Sequence, residues 1–387
     1  MFLGGLAAAS ALLGEAAVTR SMVAALEEGG ALAPLSRLPW ATPVSLWDAS
    51  FSLTDARAAL PRSSLTAAIA ALLTPRASSH YVLIVGESGT GKSTAVRSAV
   101  RSLPWPKGAI YFSCPPLTEA FSADLSSALG CFPPLDPLAS FYKWWGGQLA
   151  APQGSGPSAG LWAATLKPLQ RAAAAFRAKH GRPASLVIDA ADYVAKQDAP
   201  LFLRLQDFAK VCADMGDLRI LFVCSEGAAL PLLRASSAWS RALKPPFEVS
   251  DLGEEEARAF LSSQGMGQAE AQEAVHSITG GRLSLLHDVA AAAAGGKQLA
   301  LILAELQDAS ASALADMGLA PTHELFQALL ASQRLSSSAA RAHLPAAALR
   351  DLLQANILSL HPDGAFTVHS RHIESFLRRA AAERASE

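Results

Sequence analysis

The chain has 387 residues, 51% of them hydrophobic, and its 32 Lys+Arg stand against 33 Asp+Glu for a formal net charge of −1. That length and apolar content supply core for two or three domains and exclude a disordered chain. The near-zero balance excludes a global field that would draw the chain to nucleic acid or anionic lipid, so any such binding has to rest on a local patch.

Residues 2–19 (FLGGLAAASALLGEAAVT) are long enough to span a bilayer, yet they are mostly Ala and Gly and contain Glu15. A helix in solution or lying on a surface is expected ahead of a membrane anchor or targeting segment. Residues 27–55, with Pro34, Pro39, Pro43, Trp40 and Trp47, read as an irregular strap. Residues 61–73 show helical apolar spacing and lead into the apolar run 81–85, YVLIV.

That run opens directly into Gly86, Glu87, Ser88, Gly89, Thr90, Gly91, Lys92, Ser93 and Thr94, which is GxxxxGKS after a strand. Glycines allow successive backbone N–H groups to turn inward around phosphate oxygens. Lys92 would then reach the β- and γ-phosphates and the Ser93 hydroxyl would ligate Mg²⁺. Residues 95–101 continue as a helix whose N-terminal N–H groups and dipole face the phosphates.

Further strands are expected at 109–114, 185–189, 219–224 and 247–249. They are separated by helical stretches at 117–145, 161–179, 201–213 and 230–243, with a surface loop at 151–160. Apolar strands alternating with helices imply an α/β fold, a parallel P-loop NTPase sheet covered by helices on both faces. Ligands in such sheets sit at the carboxyl ends of the strands, which would place Lys92, Asp189 and Ser225 along one edge. After Gly253 only helices are expected, to about 295, then a connecting helix at 299–314. The last segment reads as helices at 323–332, 337–344 and 346–355, a strand pair turning at Asp363-Gly364, and a final helix, the signature of a winged helix. The expected division is an N-terminal segment 1–60, an ATPase core 61–250, a helical lid and connector 251–320, and a winged-helix domain 321–387.

Asp189, ending the apolar strand SLVID, is the natural carboxylate to hold Mg²⁺ beside Ser93. In hydrolytic members of this class a Glu that polarises the attacking water follows, and here Ala190 stands in that place. Asp192, Glu226 and Glu87 are the acidic groups that would have to substitute for it. Without an activated water, binding survives and turnover falls. The four cysteines, Cys114, Cys131, Cys212 and Cys224, have no metal-ligand spacing and read as buried free thiols of an intracellular, reducing, most simply cytoplasmic protein.

The order of a helix beginning at Arg62, GESGTGKST, LVIDAAD, LFVCSE, PFEVSDLGEEEARAFL, ITGGRLSLL and a winged helix resembles the AAA+/STAND class of P-loop ATPases. Within it, the order is similar to the archaeal-type ATPases related to replication initiators. The resemblance covers residues 61 to the end and implies ATP and Mg²⁺ as cofactors; no guanine-specific NKxD is evident. It implies further that Ser225 acts as the polar sensor at the end of the fourth strand, that Arg282 after Gly280-Gly281 is a lid arginine touching the γ-phosphate, and that Arg241 is placed as a finger acting on a neighbouring subunit. Two departures stand out: Ser225 replaces the usual Asn or Thr, and Leu283 replaces the Pro of the lid turn.

The expected partners are ATP and a protein, or a second copy of the chain. DNA is disfavoured, because the helix 346–355 that would enter a groove offers Arg350 beside Asp351, with Arg371, His372, Arg378 and Arg379 a modest strip on the last helix. A nucleotide-dependent switch with slow hydrolysis is the leading expectation. A DNA-associated loader and a membrane-associated, non-hydrolysing scaffold are the alternatives.

Overall fold

The computed structural model describes residues 16, 18–30, 62–77, 79–130, 165–225, 229–361 and 363–386. Most of the segment 2–19 and of the strap 27–55, the loop 151–160, Cys131 and Glu226 lie outside these residues, and the first two strap residues, 27 and 28, continue a helix. Among them the chain divides into two compact units. The first takes those up to Leu83, in Ser93–Val223 and in Leu232–Lys244; the second takes those in Ile84–Lys92, in Cys224–Pro231 and from Pro245 on.

Five strands, β1 (Val82–Val85), β2 (Ala109–Ser113), β3 (Ala184–Asp189), β4 (Leu218–Cys224) and β5 (Phe247–Glu248), form one sheet in the order β2-β3-β4-β1-β5. The pairs β2–β3, β3–β4 and β1–β5 are parallel. Every residue of β1 and β3 is buried, as continuous apolar runs in a doubly covered sheet require. The fold is therefore the parallel α/β P-loop type that the alternation of strands and helices implied.

In the first unit, helix Ser63–Leu73 begins after Arg62 and precedes β1. The helix Lys167–His180 stops at Gly181, which takes the left-handed conformation (φ 70°). Residues 18–28 are helical and pack inward through Met22, Ala25 and Leu26, while Glu27 accepts from Lys179 (2.6 Å) and His180 (2.8 Å). The single helix expected over 230–243 is broken in two, Ala229–Ala235 and a 3₁₀ turn Ser237–Arg241. Ser236 is extended and its hydroxyl caps the Ala238 N–H, so the backbone turns there instead of continuing. Among the described residues Cys114, Cys212 and Cys224 are buried and in no disulfide, and no helix is long and apolar enough to cross a membrane.

The second unit holds helices Glu254–Ser263, Gln268–Ala274, Leu283–Ala294 and Leu299–Asp316. Then come helices Glu324–Ser332, Ser337–His343 and Ala346–Gln354 and a small antiparallel sheet ordered β6-β8-β7, from β6 (Leu335–Ser336), β7 (Leu358–Leu360) and β8 (Ala365–Val368). Helix Arg371–Ser386 closes the chain. Leu325, Phe326, Leu352, Phe366 and Leu377 are among the side chains that make this last segment's core.

Candidate nucleotide site

In the second unit, residues 86–91 leave β1 and turn into helix Lys92–Ser102, whose first backbone N–H groups have no intrahelical acceptor. Gly89 sits at φ 81°, where a side chain is strained, and a Cβ there would collide with Ser284. The loop is braced from the start of helix Leu283–Ala294: Ser284 N–H donates to Gly89 O at 3.0 Å, and Leu283 lies against Gly91. The Thr90 hydroxyl donates to Glu87 O at 3.0 Å and pins the turn.

The two cations of this loop region are both held by the protein's own oxygens. Lys92, 7% exposed, donates from Nζ to Gly86 O and Glu87 O, each at 2.7 Å. Arg282, 2% exposed, forms a fork on Asp251 (Nε to Oδ1 2.7 Å, Nη2 to Oδ2 3.1 Å), pairs with the Glu87 carboxylate, and donates to Ser88 O at 3.0 Å. It also donates to His369 Nε2 at 2.7 Å and His369 O at 2.8 Å. Burial draws the guanidinium down to about 10, which leaves it charged at neutral pH, with two carboxylates to balance it. Burial and that same guanidinium hold His369 down to about 3, so its ring is neutral and its Nε2 accepts. Glu87 is thus an inward-facing acid rather than a solvated one; its other oxygen lies 3.9 Å from His361 Nε2.

In the first unit, Asp189 ends β3 and is 2% exposed. Its Oδ1 accepts the Ala190 N–H at 2.8 Å and its Oδ2 accepts the Tyr111 hydroxyl. Burial and the Asp189 carboxylate push the phenol far above its ordinary value, so it stays a donor. Burial, with Asp189 and Asp192 nearby, likewise raises the Cys114 thiol and leaves it unreactive. Ala190 is left-handed at φ 53°, and Asp192 begins helix Asp192–Gln197.

Ser93 and Thr94 stand in the first turn of helix Lys92–Ser102, and Ser225 follows the last residue of β4. A hydroxyl (Ser93) and a carboxylate (Asp189) are the hard oxygen donors Mg²⁺ takes, with phosphate and water supplying the rest. Among the described residues no cluster of three His, Cys, Asp or Glu forms a self-sufficient metal cage.

Other expected groups are engaged elsewhere. Arg241 pairs with Asp214 at 2.5 Å on the surface of the first unit, and both side chains are nearly half exposed. His372 does not belong to a basic strip: it is buried, bonds the Ser370 hydroxyl at 3.0 Å, and is held neutral, down to about 4, by burial. Arg371 and Arg378 each pair with Glu374 at 2.8 Å, so a single carboxylate offsets one of their two charges. Tyr111, Asp251 and His369 were not legible as site residues. Each becomes one only through a partner that is distant in sequence.

Residues 60–213 match the family model of the AAA ATPase domain. This segment is similar to AAA ATPase domains. It contains the phosphate loop and Asp189, and it supports ATP and nucleotide binding as the core activity. No curated protein matches the chain in sequence. Among solved structures the chain is similar to a Walker-type ATPase of Pyrococcus abyssi, at 16% identity over 82% of this chain and 95% of that one, with a TM-score of 0.53. At that identity the likeness speaks to the fold alone. Weaker likenesses are to Cdc6p of Pyrobaculum aerophilum (14% identity, 87% and 98% covered, TM-score 0.40) and to the Aeropyrum pernix ORC1 protein in complex with DNA (13%, 86% and 95%, 0.39).

Proposed function

We propose that the chain is a Mg-ATP-binding switch of the AAA+/STAND kind in which hydrolysis is slow. Residues 86–94 hold the phosphates, Ser93 and Asp189 hold Mg²⁺, and Arg282 exchanges its protein acceptors for the γ-phosphate. Mg²⁺, when bound, neutralises charge on the β- and γ-phosphate oxygens. The observation that carries the reading is the pairing of Lys92 and Arg282 with oxygens of the loop itself. A phosphate that takes these cations has to displace Glu87 and the carbonyls of residues 86–88, and the displaced arginine also holds Asp251 and His369. A local charge change is thereby coupled to the lid turn and to the segment after β8.

Slow turnover follows from Ala190, which carries no carboxylate to polarise water. The segment 321–387 is read as a winged helix that docks a protein rather than DNA, because two of its last-helix arginines share the Glu374 carboxylate and His372 is buried and neutral. The test is equilibrium binding of Mg-ATP beside steady-state hydrolysis for the wild type, Lys92→Ala and Ala190→Glu. Binding without appreciable turnover, loss of binding in Lys92→Ala and a faster rate in Ala190→Glu are expected. Unchanged binding in Lys92→Ala would overturn the reading at its centre.

A further inference from the structure

Strands β2 and β3 pair so that Tyr111 lies opposite Val187 and Ser113 opposite Asp189. Side chains two residues apart on a strand share a face, so Tyr111 and Asp189 are diagonal neighbours on one face of the sheet. The phenol bridges that diagonal and donates to Asp189 Oδ2, while the Ala190 N–H takes Oδ1. Each oxygen of this buried carboxylate is therefore held by a donor from a different strand or turn, and its side-chain rotation is fixed. Each oxygen keeps a lone pair for a further donor or a cation. The tyrosine ring is itself braced, with the Arg97 guanidinium 5.6 Å from its centroid. Arg97 comes from the helix that begins at the phosphate loop.

We propose that Tyr111 is the positioning residue for the Mg²⁺ carboxylate: its hydroxyl sets the orientation of Asp189 and so the affinity of the loaded site for the metal. The proposal rests on the reading of Asp189 as the metal-binding acid. It differs from a packing role, because packing is carried by the ring and its contact with Arg97, both of which Tyr111→Phe preserves. The hydroxyl's bonds, to the carboxylate and to Arg97, are lost in that variant, and the Asp189→Asn background separates the first from the second. Outer partners of metal ligands, when removed, weaken metal binding by about tenfold or more.

The experiment titrates Mg²⁺ into the full chain with a fluorescent ATP analogue and reads the Mg²⁺ concentration at half-saturation, beside the analogue's affinity in EDTA. The proteins are the wild type, Tyr111→Phe, Asp189→Asn and the double variant. Tyr111→Phe is expected to raise the half-saturating Mg²⁺ by about tenfold, with the EDTA affinity and the thermal midpoint near those of the wild type. In the Asp189→Asn background the same change is expected to add nothing, because the carboxylate it orients is gone. A wild-type Mg²⁺ response in Tyr111→Phe, while Asp189→Asn loses that response, overturns the proposal alone. An Asp189→Asn protein that responds like the wild type overturns the metal reading of Asp189 and the proposal with it.

Discussion

Glu87→Gln tests the switch at its most specific contact. In the structure the Glu87 carboxylate pairs with Arg282 at nearly full burial of the guanidinium. A γ-phosphate that recruits Arg282 has to break or share that pair, and it meets the repulsion of a carboxylate within its own loop. A hydrogen bond to a charged partner is worth about 1.5–3 kcal/mol net. Gln keeps the shape and an acceptor oxygen but drops the charge, so for a buried pair at the upper figure half of that barrier, ~1.5 kcal/mol, is removed from the binding step, which is about tenfold in affinity. The folded protein tolerates the change because Arg282 keeps both Asp251 oxygens and His369. Calorimetric titration with ATP and with ADP, both with Mg²⁺, reads the effect. ATP is expected to bind about tenfold tighter, and ADP, which has no γ-phosphate, to gain clearly less. Unchanged ATP affinity, or an equal gain for both nucleotides, refutes the exchange of Glu87 for the γ-phosphate.

Three further outcomes follow from the same geometry. His369 and His372 are drawn from 6.5 to about 3 and about 4, so the unfolded chain takes up protons that the folded chain refuses. Stability is then full above about pH 6.5 and falls as pH drops toward 4, by up to about 1.4 kcal/mol per pH unit for each histidine. Thermal midpoints from pH 7.5 to 4.5 are expected to show the fall, and the pair His369→Gln and His372→Gln to flatten it. Gly89→Ala places a Cβ at φ 81° against Ser284, costs at least ~1 kcal/mol in backbone strain alone and is expected to abolish nucleotide binding. Adding Ser284→Gly recovers part of that loss if the collision is the cause. Arg241→Ala removes a half-exposed pair with Asp214 and is expected to shift unfolding by less than ~1 kcal/mol; a much larger shift means that the surface pair is not the whole of its role.

The strands were legible because each is a short, unbroken apolar run bounded by turn residues, and β3 and β4 fall within a residue or two of SLVID and RILFVC. Their order was not, since β4 lies beside β1 and β5 joins the far side, and no local pattern encodes a neighbour across a crossover. The helix 230–243 failed on one residue: its periodicity continues through Ser236, but a serine hydroxyl that bonds its own downstream N–H competes with the helix. The phosphate loop was legible because its chemistry is packed into nine consecutive residues. The surroundings of Arg282 were not, because its partners lie 31, 87 and 194 residues away in the chain. A sequence reader can assign that arginine a task but cannot see which acids already hold it.

Ala190 joins these two kinds of information. The residue is left-handed at φ 53°, a conformation whose cost comes from having a Cβ at all. Its N–H bonds Asp189 Oδ1 and its carbonyl accepts from Tyr193 N at 3.1 Å, so the surrounding hydrogen bonds hold the turn. A Glu at this position would carry the same Cβ and meet the same backbone cost. The left-handed backbone therefore gives no reason to prefer alanine over glutamate here. For that reason Ala190→Glu is expected to leave the turn intact, and any gain in hydrolysis it produces reports on the water-activating group alone.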